Sequence, residues 1–344
     1  IPLVITFVYF LDFGVQGVIL AVVLANIPTA ILLAYYGREK IQNPIKFRFL
    51  IKWIKFSWIS LYPGLNFLFR SIDVLIFSLI TGSVIGLAYY GAAWSVSSLV
   101  AQSGTISSAV YPKLLSNEKT DYLQDNITKI FYFAILLSAI SITFASPGLF
   151  ALNPLYQIAL PLVLIMTMRF ILDTFNRTFE NFLIGVEKVD QNSQSSFKKY
   201  AQSKLFVIPT FRLIQNIIYM SLLATILLFY SSHNLVDLLT YWAILGFLTS
   251  IPITIYLSIL VYRKFNLKFD YNVIKYIITV IVIFIPLSIL TETYLEYNER
   301  ILHFLPNLLL FVGLGITLYL SITYLVDNKT RVLCNAIIQE IKKK

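Results

Sequence analysis

An all-α polytopic membrane protein with about ten transmembrane helices is what this sequence predicts, and three observations carry it. Charged residues make up only 13% of the chain and hydrophobic ones 58%, at a mean hydropathy of +0.77, whereas soluble domains carry about 25% charged residues. Apolar runs long enough to cross roughly 30 Å of hydrocarbon recur along all 344 residues. The polar breaks between those runs sort by charge into two alternating sets.

In chain order the apolar runs predict a partial span at Ile1–Phe10, then Gly14–Tyr36, Ile54–Ile80, Val84–Leu115, Lys129–Ala145, Tyr156–Gly185, Leu205–Tyr230, Val236–Val261, Val273–Leu290 and Leu302–Val326. Several exceed the roughly 20 residues a span needs, which leaves room for tilt. Pro63, Pro161, Pro209, Pro252 and Pro286 fall inside spans and predict kinks. The chain opens on Ile1 inside an apolar stretch, with no basic region or small-residue cleavage site before it. It therefore reads as a piece of a longer protein and not as a signal peptide.

One set of breaks is basic. It holds Arg38, Lys40, Lys46, Arg48, Lys52 and Lys55, then Lys113, Lys119 and Lys129. Lys188, Lys198, Lys199, Lys204 and Arg212 follow, then Arg263, Lys264, Lys268 and Lys275, and a tail with Lys329, Arg331 and Lys342 to Lys344. The alternate breaks, Thr81–Ser83, Ser146–Leu155, Ser231–Leu235 and Thr291–Ile301, contain Arg300 as their sole basic residue. The positive-inside rule places the first set, and the C-terminus, in the cytoplasm. The net charge of +10 is then explained by topology and anionic lipid headgroups, so no nucleic-acid partner is expected. Membrane lipids are the expected surroundings, in a multi-pass cell-membrane protein.

Three basic residues remain, Arg70, Arg169 and Arg177, and all lie within spans beside Asp73, Asp173 and Glu180. A charge at the centre of a membrane helix costs about 2.5–3.5 kcal/mol. Six unpaired charges would cost roughly 15–20 kcal/mol, above a typical net stability of about 5–15. They must be paired, hydrated or near an interface. At 100° per residue, Asp173, Glu180 and Arg177 lie about 40°, 20° and 80° from Arg169, with Asn176 about 20° the other way. Arg70 and Asp73 are i and i+3, with Asn66 one turn earlier. Two polar strips thus emerge. One reading is ion pairs that fix the bundle's register. The other is a hydrated cavity faced by both strips, with Asp73, Asp173 or Glu180 available for charge pairing or for coupling to a proton or sodium gradient.

Motifs for covalent chemistry are absent from the sequence. It has no GxxxxGK[ST] loop and no HExxH, one cysteine, Cys334, and two distant histidines, His233 and His303. The reading is therefore not an enzyme, with no cofactor and no metal. Asp121 with Asp125 is a weak acidic pair in a lysine-rich connection.

The segment LNFLFRSIDVLIFSLITGSVIGLAYYGAAWSV, from Leu65 to Val96, resembles polysaccharide flippases of the multidrug/oligosaccharidyl-lipid/polysaccharide exporter superfamily. The matching residues are Arg70, Asp73, Gly82, Gly86, Leu87, Tyr89 and Ala92, with Ala88 as an extra residue. DFGVQGVILAVVLANI, from Asp12, is similar to the family's sixth helix. The resemblance implies two six-helix lobes around a central cavity, with part of the first lobe missing here. On that reading 1–36 is the remnant of the first lobe and 37–53 a basic cytoplasmic connector. The second lobe is 54–261, two additional helices are 262–326, and the basic tail is 327–344.

The implied function is movement of a lipid-linked oligosaccharide from the cytoplasmic to the outer leaflet, alongside glycan-assembly proteins. Arg70, Arg169 and Arg177, with Asn66 and Asn176, are the substrate-binding candidates. Rival readings are a cation-coupled multidrug exporter of the same superfamily and, in another class, a membrane-bound glycan polymerase or ligase. The latter needs a larger outer loop than the roughly eleven residues of the longest one on that side.

Overall fold

The computed structural model describes residues 3, 6–41, 47–108, 122–187, 200–230, 232–268, 270–298 and 301–342. Among them there is no strand, and nine helices are long and apolar enough to cross a membrane. The protein is an all-α polytopic membrane protein. The helices are α1 (Gly14–Ile41), α2 (Phe47–Thr81), α3 (Val84–Ser97), α4 (Tyr122–Thr143), α5 (Ala145–Leu152), α6 (Leu160–Gly185), α7 (Lys204–Phe229), α8 (Leu235–Phe265), α9 (Asn272–Tyr294), α10 (Ile301–Val326) and α11 (Asn328–Lys342).

The chain divides between Ser60 and Leu61, inside α2. In the first unit the expected partial span is a π-helical turn at Thr6–Phe10. It is closed by Phe13 N–H donating to the Phe7 carbonyl at 3.0 Å, and the two rings stack 6.1 Å apart. α1 is apolar all round, with Val18, Ile19, Val22, Val23, Ile27 and Ile31 exposed. A helix with no polar face is one that lipid can surround. The described ends of the expected connector 37–53 are helical, since α1 runs to Ile41 and α2 starts at Phe47.

The second unit, Leu61–Lys344, has two apolar layers with a polar belt between them. α6 gives Leu162, Val163 and Met166 to one layer and Phe175, Phe179 and Phe182 to the other. α8 does the same with Leu238 to Leu245 and then Ile253, Leu257 and Val261. α7 contributes Ile208 to the second layer and Tyr219, Leu223 and Leu227 to the first. Between the layers lie Arg169 and Asp173 of α6, Arg212 and Asn216 of α7, and Gly246 and Ser250 of α8, together with Phe170, which packs on Val100 and Ala134. A third cluster packs Tyr132, Leu136 and Ile140 of α4 against Tyr276, Ile283 and Phe284 of α9 and Phe304 and Tyr319 of α10.

Four local expectations change. The span expected at Val84–Leu115 leaves the α-helix at Ser98 for a 3₁₀ stretch, Ser98–Gly104. Its sequence SLVAQSG, and Thr105 after it, carries hydroxyls that bond back to nearby carbonyls, Ser98 to Ser95 at 3.0 Å, Ser103 to Val100 and Thr105 to Gln102 at 2.7 Å. Such bonds compete with the regular ladder. The break Ser146–Leu155 contains α5 and the start of a 3₁₀ turn, Pro154–Ala159. Pro161 sits in the first turn of α6, where its missing N–H costs nothing, so it starts the helix and does not kink it. The tail is the helix α11.

The α2–α3 hairpin sets up the site. Gly82, at φ +64°, makes the turn, and Ser83 caps α3 by accepting from Gly86 N–H at 3.0 Å. This two-residue connection brings Asp73 of α2 and Tyr90 of α3 to the same level of the first apolar layer.

Candidate functional site

A cavity of about 400 Å³ is lined by Ser71, Asp73, Tyr90, Trp94, Arg177 and Trp242, among others. Asp73 comes from α2, Tyr90 and Trp94 from α3, Arg177 from α6 and Trp242 from α8. One residue of each polar strip, Asp73 and Arg177, therefore lines the same cavity. A second cavity of about 200 Å³ borders the 3₁₀ stretch and is lined by Gly104, Thr105, Asp173, Thr174, Arg177 and Asn181. Arg177 is common to both and is exposed.

Asp73 is buried, and its Oδ2 accepts from the Tyr219 hydroxyl at 2.9 Å and from Trp242 Nε1 at 3.3 Å. Trp242 Nε1 also donates to the Tyr219 hydroxyl at 2.7 Å. The indole is fixed by stacking on both sides, 3.7 Å from the Tyr90 ring and 4.7 Å from Phe77. Its polar edge can then point only along the plane of that stack, toward Asp73.

Arg169 lies directly behind this wall. Nη1 donates to the Tyr90 hydroxyl at 3.5 Å, and the guanidinium sits 5.5 Å from the centre of the Tyr219 ring. Asp173 and Asp73 are both within electrostatic reach, while Nε has no protein hydrogen-bond partner. Its seat exists because residue 246 is glycine: a Cβ there would collide with the guanidinium.

The remaining candidates have other surroundings. Glu180 is paired across to Arg212 Nε on α7. Arg212 therefore belongs to a helix, eight residues beyond its start and so about 12 Å into it, and not to the basic connection where the sequence suggested it. Asn66 donates to the Pro209 carbonyl at 3.1 Å and accepts from Asn216 at 3.5 Å, so it ties α2 to α7. Asn176 is fully buried and neither atom of its amide has a protein partner. The side chain of Arg70 lies outside the described residues, as do Asp121, Lys113, Lys119, Lys188, Lys198 and Lys199. Asp125 pairs with Lys129 one turn on, at 2.6 Å. Among the described residues no group of three or more His, Cys, Asp and Glu could hold a metal ion.

Tyr90, Trp94, Tyr219 and Trp242 were not singled out by the sequence. The available signal was weak: Tyr219 is a hydrogen-bonding aromatic near mid-span, whereas Tyr and Trp otherwise gather at membrane interfaces. This chain matches no family model, no curated protein and no solved structure.

Proposed function

We propose that the protein is a transporter that flips lipid-linked oligosaccharide or polysaccharide precursors from the cytoplasmic to the outer leaflet of the cell membrane. The observation that carries this reading is the meeting of Asp73 and Arg177, distant in sequence, at one cavity among membrane-spanning helices. An intramembrane charge beside a cavity marks a substrate or ion pathway.

In this reading Arg177, exposed at both cavities, offers its guanidinium to a pyrophosphate or an acidic sugar. Arg169 adds positive potential from behind the wall, and the Tyr90 and Trp94 rings give flat apolar surfaces to sugar rings. Arg70 belongs to the same group by its place one turn before Asp73. The cavity lies wholly within 54–261, so alternating access on this reading comes from helices of that lobe moving around it, with the 3₁₀ stretch after α3 as the place where the helix bends. Asp73 or Asp173 couples the cycle to a proton or sodium gradient. The reading involves no enzymatic step and no cofactor, and the C-terminus stays in the cytoplasm, with glycan-assembly proteins as partners.

A cation-coupled multidrug exporter is the second reading, favoured by a carboxylate, Asp73, and an aromatic ring, Trp94, at the same cavity. That pairing suits an organic cation. Deletion of the gene decides between them. Build-up of lipid-linked oligosaccharide on the inner leaflet, reversed by the wild-type gene and not by R177A, supports the flippase. Normal glycan export with retention of a fluorescent organic cation supports the exporter and sinks the first reading.

A further inference from the structure

α11 follows α10 after a single residue, Asp327, and its first turn is clamped. The Asp327 carboxylate accepts from Thr330 N–H at 3.1 Å, from the Thr330 hydroxyl at 2.8 Å and from the Tyr276 hydroxyl of α9 at 2.6 Å. This is an N-cap anchored to a neighbouring span. Lys329 pairs with Asp270 at 2.6 Å. The Arg331 guanidinium donates to the carbonyls of Tyr324 at 3.4 Å and Leu325 at 3.2 Å. In an uninterrupted helix those carbonyls would accept from residues 328 and 329. The helical ladder therefore stops where α10, a membrane span, ends.

Beyond the clamp the sequence is two-sided. Counting 100° per residue from Thr330, Leu333, Cys334, Ile337, Ile338 and Ile341 fall within a sector about 140° wide. Arg331, Asn335, Gln339 and Lys342 fall on the other side, with the exposed Val332 among them. From 328 to 344 there are five basic residues and one acidic residue, Glu340. Projected straight out from the bundle, such a helix would leave four large aliphatic side chains in water. Laid along the bilayer surface, it buries them and sets its lysines at headgroup level.

We propose that α11 is an interfacial helix that binds anionic phospholipid headgroups, its start fixed at the membrane edge by the Asp327, Asp270 and Arg331 contacts. Charge complementarity selects the partner, since each basic residue near an anionic surface strengthens attachment roughly fivefold. The proposal holds whatever the transporter carries.

Cys334 is the chain's single cysteine and lies in the apolar sector by helical period, so it serves as a probe. The full chain is placed in nanodiscs of phosphatidylcholine alone or with a third of phosphatidylglycerol, and modification of Cys334 by a water-soluble maleimide is timed. Anionic discs are expected to slow the reaction by about tenfold at low salt, with the rate restored at high salt. K342Q/K343Q/K344Q, which leaves the clamp intact, should lose most of that protection. Equal rates in the two discs overturn the proposal, whether fast or slow. So does protection that ignores both salt and the three substitutions.

Discussion

The molecule holds two tyrosine-bonded carboxylates in different company. Asp327 takes the Tyr276 hydroxyl, the Thr330 hydroxyl and the Thr330 and Lys329 N–H groups. Its neighbour Asp270 takes Lys329, the Thr128 hydroxyl and the Asn272 N–H. Asp73 has the Tyr219 hydroxyl, Trp242 and the Val74 N–H, and it opens onto a cavity. Elsewhere in α6 and α7, Arg169 Nε, the Asn176 amide and Arg212 Nη2 are buried without a protein partner. A saturated network has nothing left to bind and serves as a fastening. Asp73 is also well bonded, but it lies on a cavity wall together with the exposed Arg177, where an intramembrane charge marks a pathway. That contrast is why the belt, and not the clamp, is read as the site.

The sharpest way to break the comparison is at the edge of the belt. Glu180 and Arg212 are 17% and 21% exposed, buried enough for the ion pair to matter. Arg212→Ala leaves the carboxylate alone and is expected to cost about 3–5 kcal/mol, measured as thermal unfolding of the full chain in detergent. Glu180→Leu with Arg212→Leu should recover most of that. If the single and double variants unfold alike, the pair is not a coupled unit.

Gly246→Ala comes next. Its methyl group meets the Arg169 guanidinium, and overpacking of this kind costs about 1–3 kcal/mol. Combined with Arg169→Ala the penalty should disappear, because the clash goes with the arginine. Additive losses in the double variant would mean that Arg169 is not seated over residue 246.

Tyr219→Phe is milder for stability and more telling for function. It removes the hydroxyl that donates to Asp73 and accepts from Trp242. Hydrogen bonds between membrane helices average about 0.6 kcal/mol, with a maximum near 1.7, so stability should fall by about that much. On the proposed flippase reading, export of lipid-linked oligosaccharide should fall by much more. Losses in proportion would class the belt with the clamp, as a structural network.

The spans were legible in the sequence because an apolar run against a polar break is a matter of composition. The common face of Arg169 and Asp173 was legible from the helical period alone, and both side chains are indeed buried together in α6. Partner identity across helices was not. Glu180 lay on the same strip as Arg177 by angle, yet it pairs with Arg212, whose nearness to Lys204 in sequence disguised its depth. Asn66 and Asp73 are two turns apart on α2, but one meets a proline carbonyl and the other a cavity, a difference fixed by α7. The aromatic wall was hidden by abundance, since aromatics make up 15% of the chain.

The smallest effect concerns the clamp and has a definite sign in pH. Burial pushes the Asp270 carboxyl up, but Lys329, the Asn272 N–H and the Thr128 hydroxyl outweigh it and hold it below its ordinary value. Burial raises Asp327 too, and the Tyr276 and Thr330 donors and the Lys329 N–H again prevail. Both groups bind protons less readily folded than unfolded, so their contribution is fully present above the ordinary carboxylate value of about 4. It is lost as the pH falls through the lower folded values. Amide exchange in residues 328–342, corrected for its intrinsic pH dependence, should therefore quicken as the pH falls below about 4. Asp270→Asn should remove only part of that rise, because Lys329 is 48% exposed and an exposed pair is worth about 0.2–1 kcal/mol. Asp327→Asn, which weakens the cap of α11 itself, should remove more. A flat exchange profile in the wild-type chain would show that α11 does not depend on the ionised clamp, and the contrast between a saturated fastening and an open site would lose one of its sides.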